Sequence, residues 1–511
     1  MCFNLRIVIA FLAYTAILCV GNVNAQEVQN TKTLIVIFDG LRSDYVTSEI
    51  MPNTFKLIKK GCVSSNHHSV FPTVTRVNSA AMSTGAYPAV NGLMGNSVFF
   101  PEVDPVKGIS TDDAHALLQI QKVTGGKLYT SVTLSELLQK NGKNLMIFST
   151  GSTGQSYLLN PNATLSSPVI NPNFIQPTSF SDTLFKAIGP IPEVDGKKNG
   201  PRHQWITNAY MHFGMAKNGP EVSIIWFSDP DGTAHAKGVG SPETIASITF
   251  ADSQLGRILD EITKKGLESQ VNIMISTDHG FVTHTGKNNL VNILIEKGYK
   301  KDKLSDDVVV VGGAVYIKNR DIATIGNIVT LLQQQDWVGA IFTDCSSKNK
   351  KLGHVPGTLS FNAIHFDHSE RKPDILFDYA WDSLKNEFGY PGRSTSYGVA
   401  GHGCSSPFEI STLLIAAGPD FKSNGFKSEF PTSLVDIMPT ILKLQDIEVP
   451  KQVEGRVMTE LFISSSEKSK KEDYLIHADT NYSNGKYKLH ASFTSFKDKI
   501  YLNYTKTTRE K

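Results

Sequence analysis

Four short apolar runs, each beside residues of catalytic type, constrain this chain more than any other feature. Leu34-Ile35-Val36-Ile37-Phe38 ends at Asp39, and Val222 to Phe227 ends at Ser228-Asp229-Pro230-Asp231. Val271-Asn272-Ile273-Met274-Ile275 ends at Ser276-Thr277-Asp278-His279, and Leu413-Leu414-Ile415-Ala416-Ala417 lies just after Gly401-His402-Gly403. Runs of this length without alternation read as strands buried on both faces, the habit of parallel sheets. Helical patterns separate them. The clearest runs from Ser241 to Lys265, with Ser241 as N-cap, Pro242 in the first turn, and Gly266 as the stop. Its apolar positions Ile245, Ile248, Ala251, Leu255, Ile258 and Ile262 recur every three or four residues. Strands alternating with helices predict an α/β fold, a central mostly parallel sheet flanked by helices. Ligands of such sheets sit beyond the carboxyl ends of the strands, where these Asp and His residues fall.

The chain has 511 residues, 40% of them hydrophobic, and a formal net charge of +2 from 50 basic and 48 acidic residues. That balance gives no reason to expect stable nucleic-acid binding. Arg6, the apolar stretch Ile7–Val20 and Val23-Asn24-Ala25 before Gln26 follow the order of a secretory signal peptide over residues 1–25. The stretch is short for a membrane span. The reading is a protein without a transmembrane segment after cleavage, secreted or, in a Gram-negative host, periplasmic. Cys62, Cys345 and Cys404 remain after cleavage, too few for a disulfide framework. Residues 26–464 read as one catalytic domain, with irregular insertions near 101–220 and 300–393 that build a cap. Residues 465–511 read as a loosely packed C-terminal extension. Asn162, Asn481 and Asn503 begin glycosylation-type tripeptides.

Asp39-Gly40 places a carboxylate at a strand end before a residue that turns freely. Asp231 and His235 stand one helical turn apart and are good ligands for a divalent metal. Asp278-His279 follows a buried run, where an unpartnered carboxylate is costly. His402 sits between two glycines. Thr75 precedes a small-residue helix that reads from Asn78 onward, and a helix N-terminus favours a phosphoryl group. Each residue alone also reads plainly as a cap, a turn or a surface side chain. Together, six Asp/His candidates and one hydroxyl suit a two-metal centre acting on phosphoryl groups.

These motifs resemble the alkaline phosphatase superfamily and, within it, the nucleotide pyrophosphatase/phosphodiesterase branch, over about residues 33–462. The resemblance rests on Ile37-Phe38-Asp39-Gly40, Pro72-Thr73-Val74-Thr75 with Asn78 and Thr84-Gly85, Asp229-Pro230-Asp231 through His235, Thr277-Asp278-His279-Gly280 and Gly401-His402-Gly403. Val435 to Thr440 and Glu454-Gly455-Arg456 add to it. It implies an alkaline-phosphatase-like fold and two zinc ions. Asp231, His235 and His402 would hold one ion; Asp39, Asp278, His279 and Thr75 would hold the other. It further implies a phospho-threonine intermediate on Thr75 and a phosphoryl contact from Asn96. The substrate would be a small phosphate ester or anhydride, a phosphodiester or pyrophosphate of nucleotide type. The alternative is a phosphomonoesterase or a phosphonoacetate-hydrolase-like activity. Two positions depart from the branch. Arg76-Val77 replaces an aromatic or small residue and proline, and Ser79 stands where histidine is common. Arg76 reads as a contact to a substrate anion. His365-Phe366-Asp367-His368 and His67, His68, His284 and His354 have no ligand role in this pattern.

Overall fold

The computed structural model describes residues 31–194, 199–483 and 485–510. The leader reading over residues 1–25 lies outside them.

A ten-stranded sheet forms the frame. Its path runs Phe426–Ser428, Cys62–His68, Ser411–Ala417, Val271–Ser276, Lys32–Phe38, Val222–Phe227, Leu145–Ser149, Val169–Asn171 and Phe174–Gln176. Thr432–Ser433 pairs with Cys62–His68 off this path. Lys32–Phe38 is central and pairs in parallel with Val222–Phe227 on one side and Val271–Ser276 on the other. Its side chains show why the apolar runs do not alternate. Leu34, Val36 and Phe38 enter one core, packed under helix Pro242–Lys264, while Ile35 and Ile37 enter a second core on the opposite face. The long helix has the capping read from its sequence: Ser241 Oγ accepts from Thr244 N at 3.2 Å, with Pro242 in the first turn.

One strand corrects the sequence reading. Ser411–Ala417 runs antiparallel to both of its neighbours. A continuous apolar run reports burial on both faces and carries no information about direction. Because this strand runs the other way, it begins at the edge where the parallel strands end. The preceding segment with His402 therefore reaches the same edge.

The span near 101–220 is more ordered than its composition suggests. It supplies Leu145–Ser149 to the main sheet, in parallel with Val222–Phe227. The span 300–393 supplies all five strands of a separate sheet, with helix Ile322–Gln333 against it. The C-terminal residues do not pack loosely. Lys471–Tyr482, Gly485–Phe496 and Lys499–Glu510 form a three-stranded antiparallel sheet. Tyr487, Leu489, Ala491 and Phe493 bury there against Val338, Ile341 and Phe342 of the five-stranded sheet. Lys471, Glu472 and Asp473 lie exposed on the outer strand, while alternation on the middle strand supplies the buried face. The cysteines Cys62, Cys345 and Cys404 are unbonded. Among the described residues, no helix is long and apolar enough to cross a membrane.

Candidate metal centre

The carboxyl edge of the sheet gathers the six Asp and His candidates. Asp39 ends the central strand, and Gly40 turns the chain with φ +70°. A Cβ there would stand 3.0 Å from the Phe281 ring and 3.1 Å from Asp231 Cβ, so the turn needs glycine on two counts. Gly40 N donates to Asp278 Oδ1 at 3.0 Å, and Asp231 N donates to the Asp39 carbonyl at 2.9 Å. These bonds tie three strand ends together. Asp231 opens helix Asp231–Lys237 and His235 lies one turn on, with Nε2 3.2 Å from Asp231 Oδ1.

Two compact groups result. Asp39, Asp278 and His279 offer ligand atoms within 4.8 Å of one another, as do Asp231, His279 and His402. His279 belongs to both groups, and His235 flanks the second through Asp231. His279 Nε2 lies 3.1 Å from Asp278 Oδ2 and 3.6 Å from Asp39 Oδ1; His402 Nε2 lies 3.2 Å from Asp231 Oδ1. The His279 and His402 rings stack at 3.5 Å.

The backbone settles which nitrogen faces inward. His235 Nδ1 meets the Ala400 carbonyl at 2.9 Å, His279 Nδ1 the Gly280 carbonyl at 3.0 Å, and His402 Nδ1 the Thr73 carbonyl at 2.8 Å. A carbonyl only accepts, so each Nδ1 carries a proton and each ring turns its Nε2 toward carboxylate oxygens. Asp39 Oδ1, Asp231 Oδ1 and Asp278 Oδ2 are buried without a hydrogen-bond partner. A neutral Nε2 facing an orphaned carboxylate oxygen is repelled by it unless a proton or a metal ion lies between them; without metal, against burial, Asp231 raises the His235 pKa and Asp278 that of His279. The donor set therefore fits divalent metal. Without one, burial and then the charges of Asp278 and Asp231 push the Asp39 carboxyl well above the usual carboxylate range. Burial and then His279 hold His402 down to about 4.

Thr75 is the first residue of helix Thr75–Thr84, so the helix begins three residues earlier than its small-residue pattern indicates. Its Oγ1 lies 3.2 Å from His279 Nε2. Asn96 arrives from a separate loop, and its Oδ1 accepts from Arg76 N at 3.0 Å. Arg76 stands beside Thr75 in the first turn, half-buried, with its Nε unpartnered.

Three supporting residues carry no legible signal in the sequence. Thr73 donates its hydroxyl to the Cys404 carbonyl at 2.6 Å and accepts from Gly403 N at 3.1 Å, in addition to its carbonyl bond with His402. Trp226 Nε1 donates to Asp39 Oδ2 at 2.9 Å. His203 Nε2 lies 3.0 Å from Asp229 Oδ2, and Thr233 Oγ1 donates to Asp229 Oδ1 at 2.7 Å. Asp229 thus belongs to the support of the Asp231 helix. His365 stacks on Tyr87, and His368 Nδ1 accepts from Glu370 N and Arg371 N, which accounts for that cluster structurally.

A mostly parallel α/β sheet that gathers two Asp/His groups able to hold metal at its carboxyl edge defines the class, an α/β fold with a candidate metal centre. The chain belongs to the type I phosphodiesterase / nucleotide pyrophosphatase family, whose model matches residues 33–387. It is a hydrolase of the phosphodiesterase type. It is 22% identical over 420 residues to the bis(5'-adenosyl)-triphosphatase of Homo sapiens, covering 80% of this chain and 76% of that one. It is also 22% identical over 433 residues to the venom phosphodiesterase of Macrovipera lebetinus, covering 82% of this chain and 44% of that one. The solved human ectonucleotide pyrophosphatase/phosphodiesterase 5 has the same fold, with TM-score 0.58, 19% identity, and coverage of 85% of this chain and all (100%) of the other.

Proposed function

We propose that this protein hydrolyses small phosphodiesters or pyrophosphates of nucleotide type, with Thr75 as nucleophile. The observation that carries the reading is the set of three orphaned carboxylate oxygens beside the imidazole Nε2 atoms and the Thr75 hydroxyl. Asp39, Asp278 and His279, with Thr75, would hold one divalent ion, and Asp231, His235 and His402 the other. The mixed imidazole and carboxylate set favours zinc. Bound there, the ions would supply Lewis acidity to the hydroxyl and charge neutralisation to the phosphoryl oxygens.

Thr75 Oγ attacks phosphorus in line as its proton passes to solvent, from which the leaving oxygen takes one up. The bond to the leaving oxygen breaks, and the phosphoryl group remains on Thr75. Water then attacks the phosphorus from the Asp231–His235–His402 side and frees Thr75. Asn96 spends its Oδ1 on Arg76 N, which leaves its Nδ2 to donate to a phosphoryl oxygen. The first turn of the Thr75 helix adds free N–H groups where charge develops. Arg76 contacts an anionic part of the substrate. Two relatives carry names that suit this chemistry, a bis(5'-adenosyl)-triphosphatase and a venom phosphodiesterase. The solved murine relative in its inactive form, a threonine-to-alanine variant, is in complex with AMP. The leader pattern points to the secretory route, and residues 26–464 read as the catalytic domain, with the span near 300–393 as an insertion that caps it.

Zinc-loaded protein is expected to hydrolyse bis-p-nitrophenyl phosphate and a dinucleoside triphosphate, and to lose both activities on chelation. Hydrolysis of p-nitrophenyl phosphate with neither of the others touched would overturn the reading in favour of a monoesterase.

A further inference from the structure

Arg76 is misplaced by ordinary helix rules. It occupies the second position of a ten-residue helix whose N-cap, Val74, makes no side-chain capping bond and whose first turn holds no acidic residue. A cation at that end opposes the helix dipole, which favours anions there. Arg76 is also half-buried, and its Nε is shut off from water with no partner. Leaving such a donor unpaired is costly, and more so when the group is charged. Burial lowers the guanidinium's pKa, opposed by the fields of Asp39, Asp112, Asp231 and Asp278. Its own backbone N–H is already committed to Asn96, so the side chain is the free donor at this point. A helix N-terminus and an unpaired guanidinium converge beside the nucleophile, and both attract anions.

Resting on the function proposed above, we infer that Arg76 sets substrate class by reading a second negative charge at or next to the scissile phosphorus. A simple diester carries one charge. A monoester carries a second on the same phosphorus above its second pKa of about 6, and an anhydride carries one on the neighbouring phosphorus. Both present the oxygens that an arginine fork binds through paired, charge-assisted hydrogen bonds.

The test is a comparison of kcat/KM for zinc-loaded wild type, Arg76→Ala and Arg76→Lys. The substrates are bis-p-nitrophenyl phosphate, p-nitrophenyl phosphate and diadenosine triphosphate. The ratio of either substrate with the additional charge to the diester is expected to fall about tenfold to hundredfold in Arg76→Ala. Arg76→Lys should recover part of that ratio, because it keeps the charge and loses the fork. A fall confined to p-nitrophenyl phosphate locates the second charge on the reacting phosphorus; one confined to diadenosine triphosphate locates it on the neighbour. Both ratios unchanged within about twofold, with wild type active on the diester, would overturn the inference alone. A wild type inactive on all three would overturn the function it rests on as well.

Discussion

Each histidine of the centre gives its Nδ1 proton to a backbone carbonyl, so loop geometry rather than side-chain chemistry aims the Nε2 atoms. Thr73 is the residue on which this depends most. It ties the nucleophile loop to the His402 loop through three bonds. Supporting residues of this kind typically carry about 10–100-fold in metal affinity. Thr73→Val should lose that much in a competitive zinc titration, and Thr73→Ser should retain it. The ligands themselves were legible in the sequence because a charged residue directly after a buried apolar run has no packing explanation. Thr73 was not, because its role depends on a contact with Gly403 that no local pattern records. His67 carries a separate consequence. Burial and then the neighbouring His68 hold its pKa down to about 3, against an ordinary value of 6.5. The folded ring stays neutral while the unfolded chain takes up a proton, so the ring's penalty is absent above pH 6.5 and grows as pH falls toward 3. The slope from this group alone approaches about 1.4 kcal/mol per pH unit. Thermal melts from about pH 6 down to 4 should fall less steeply in His67→Gln than in wild type.

Among the elements, those with strong local signals were readable: the capped helix Pro242–Lys264 and the strands that end at Asp39, Asp231 and Asp278. Cys62–His68 was not, since Ser64, Ser65, Asn66, His67 and His68 look like loop. The sheet accommodates them by pairing their polar groups, Ser64 and His67 both with Thr432 at 2.8 Å. This strand delivers the nucleophile loop, so the link between Thr75 and the sheet was hidden with it. The short strand Ala400–Gly401 shows how tightly the elements meet at the site. A Cβ on Gly401 would lie 2.4 Å from His284 Cε1 and 3.2 Å from His235 Cε1. Gly401→Ala should therefore displace His235. The expected result is weakened binding of one of two zinc ions in a calorimetric titration, by about tenfold or more.

At the scale of the whole molecule, the C-terminal sheet is part of the fold. Arg509 Nε donates to the Gln333 carbonyl at 2.8 Å, and Tyr487 Oη donates to the Gly339 carbonyl at 2.8 Å. Removal of residues 471–510 uncovers the aromatic face shared with Val338–Thr343. The truncated chain should aggregate or melt well below the full-length protein in a thermal scan. The charged outer strand misled the sequence reading because composition averages over both faces of a sheet. Metal should also act on the whole fold. Binding to the folded state stabilises it by mass action, about 2.7 kcal/mol at a hundredfold excess over Kd, so chelation should lower Tm as well as end activity.

The most direct measurement of the central claim compares wild type and Thr75→Ala, each loaded with zinc, for metal content and for hydrolysis of bis-p-nitrophenyl phosphate. Thr75→Ala should retain about two ions per chain and lose at least about a thousandfold in kcat. Two bound ions with hydrolysis at the wild-type rate would contradict the assignment of Thr75 as nucleophile.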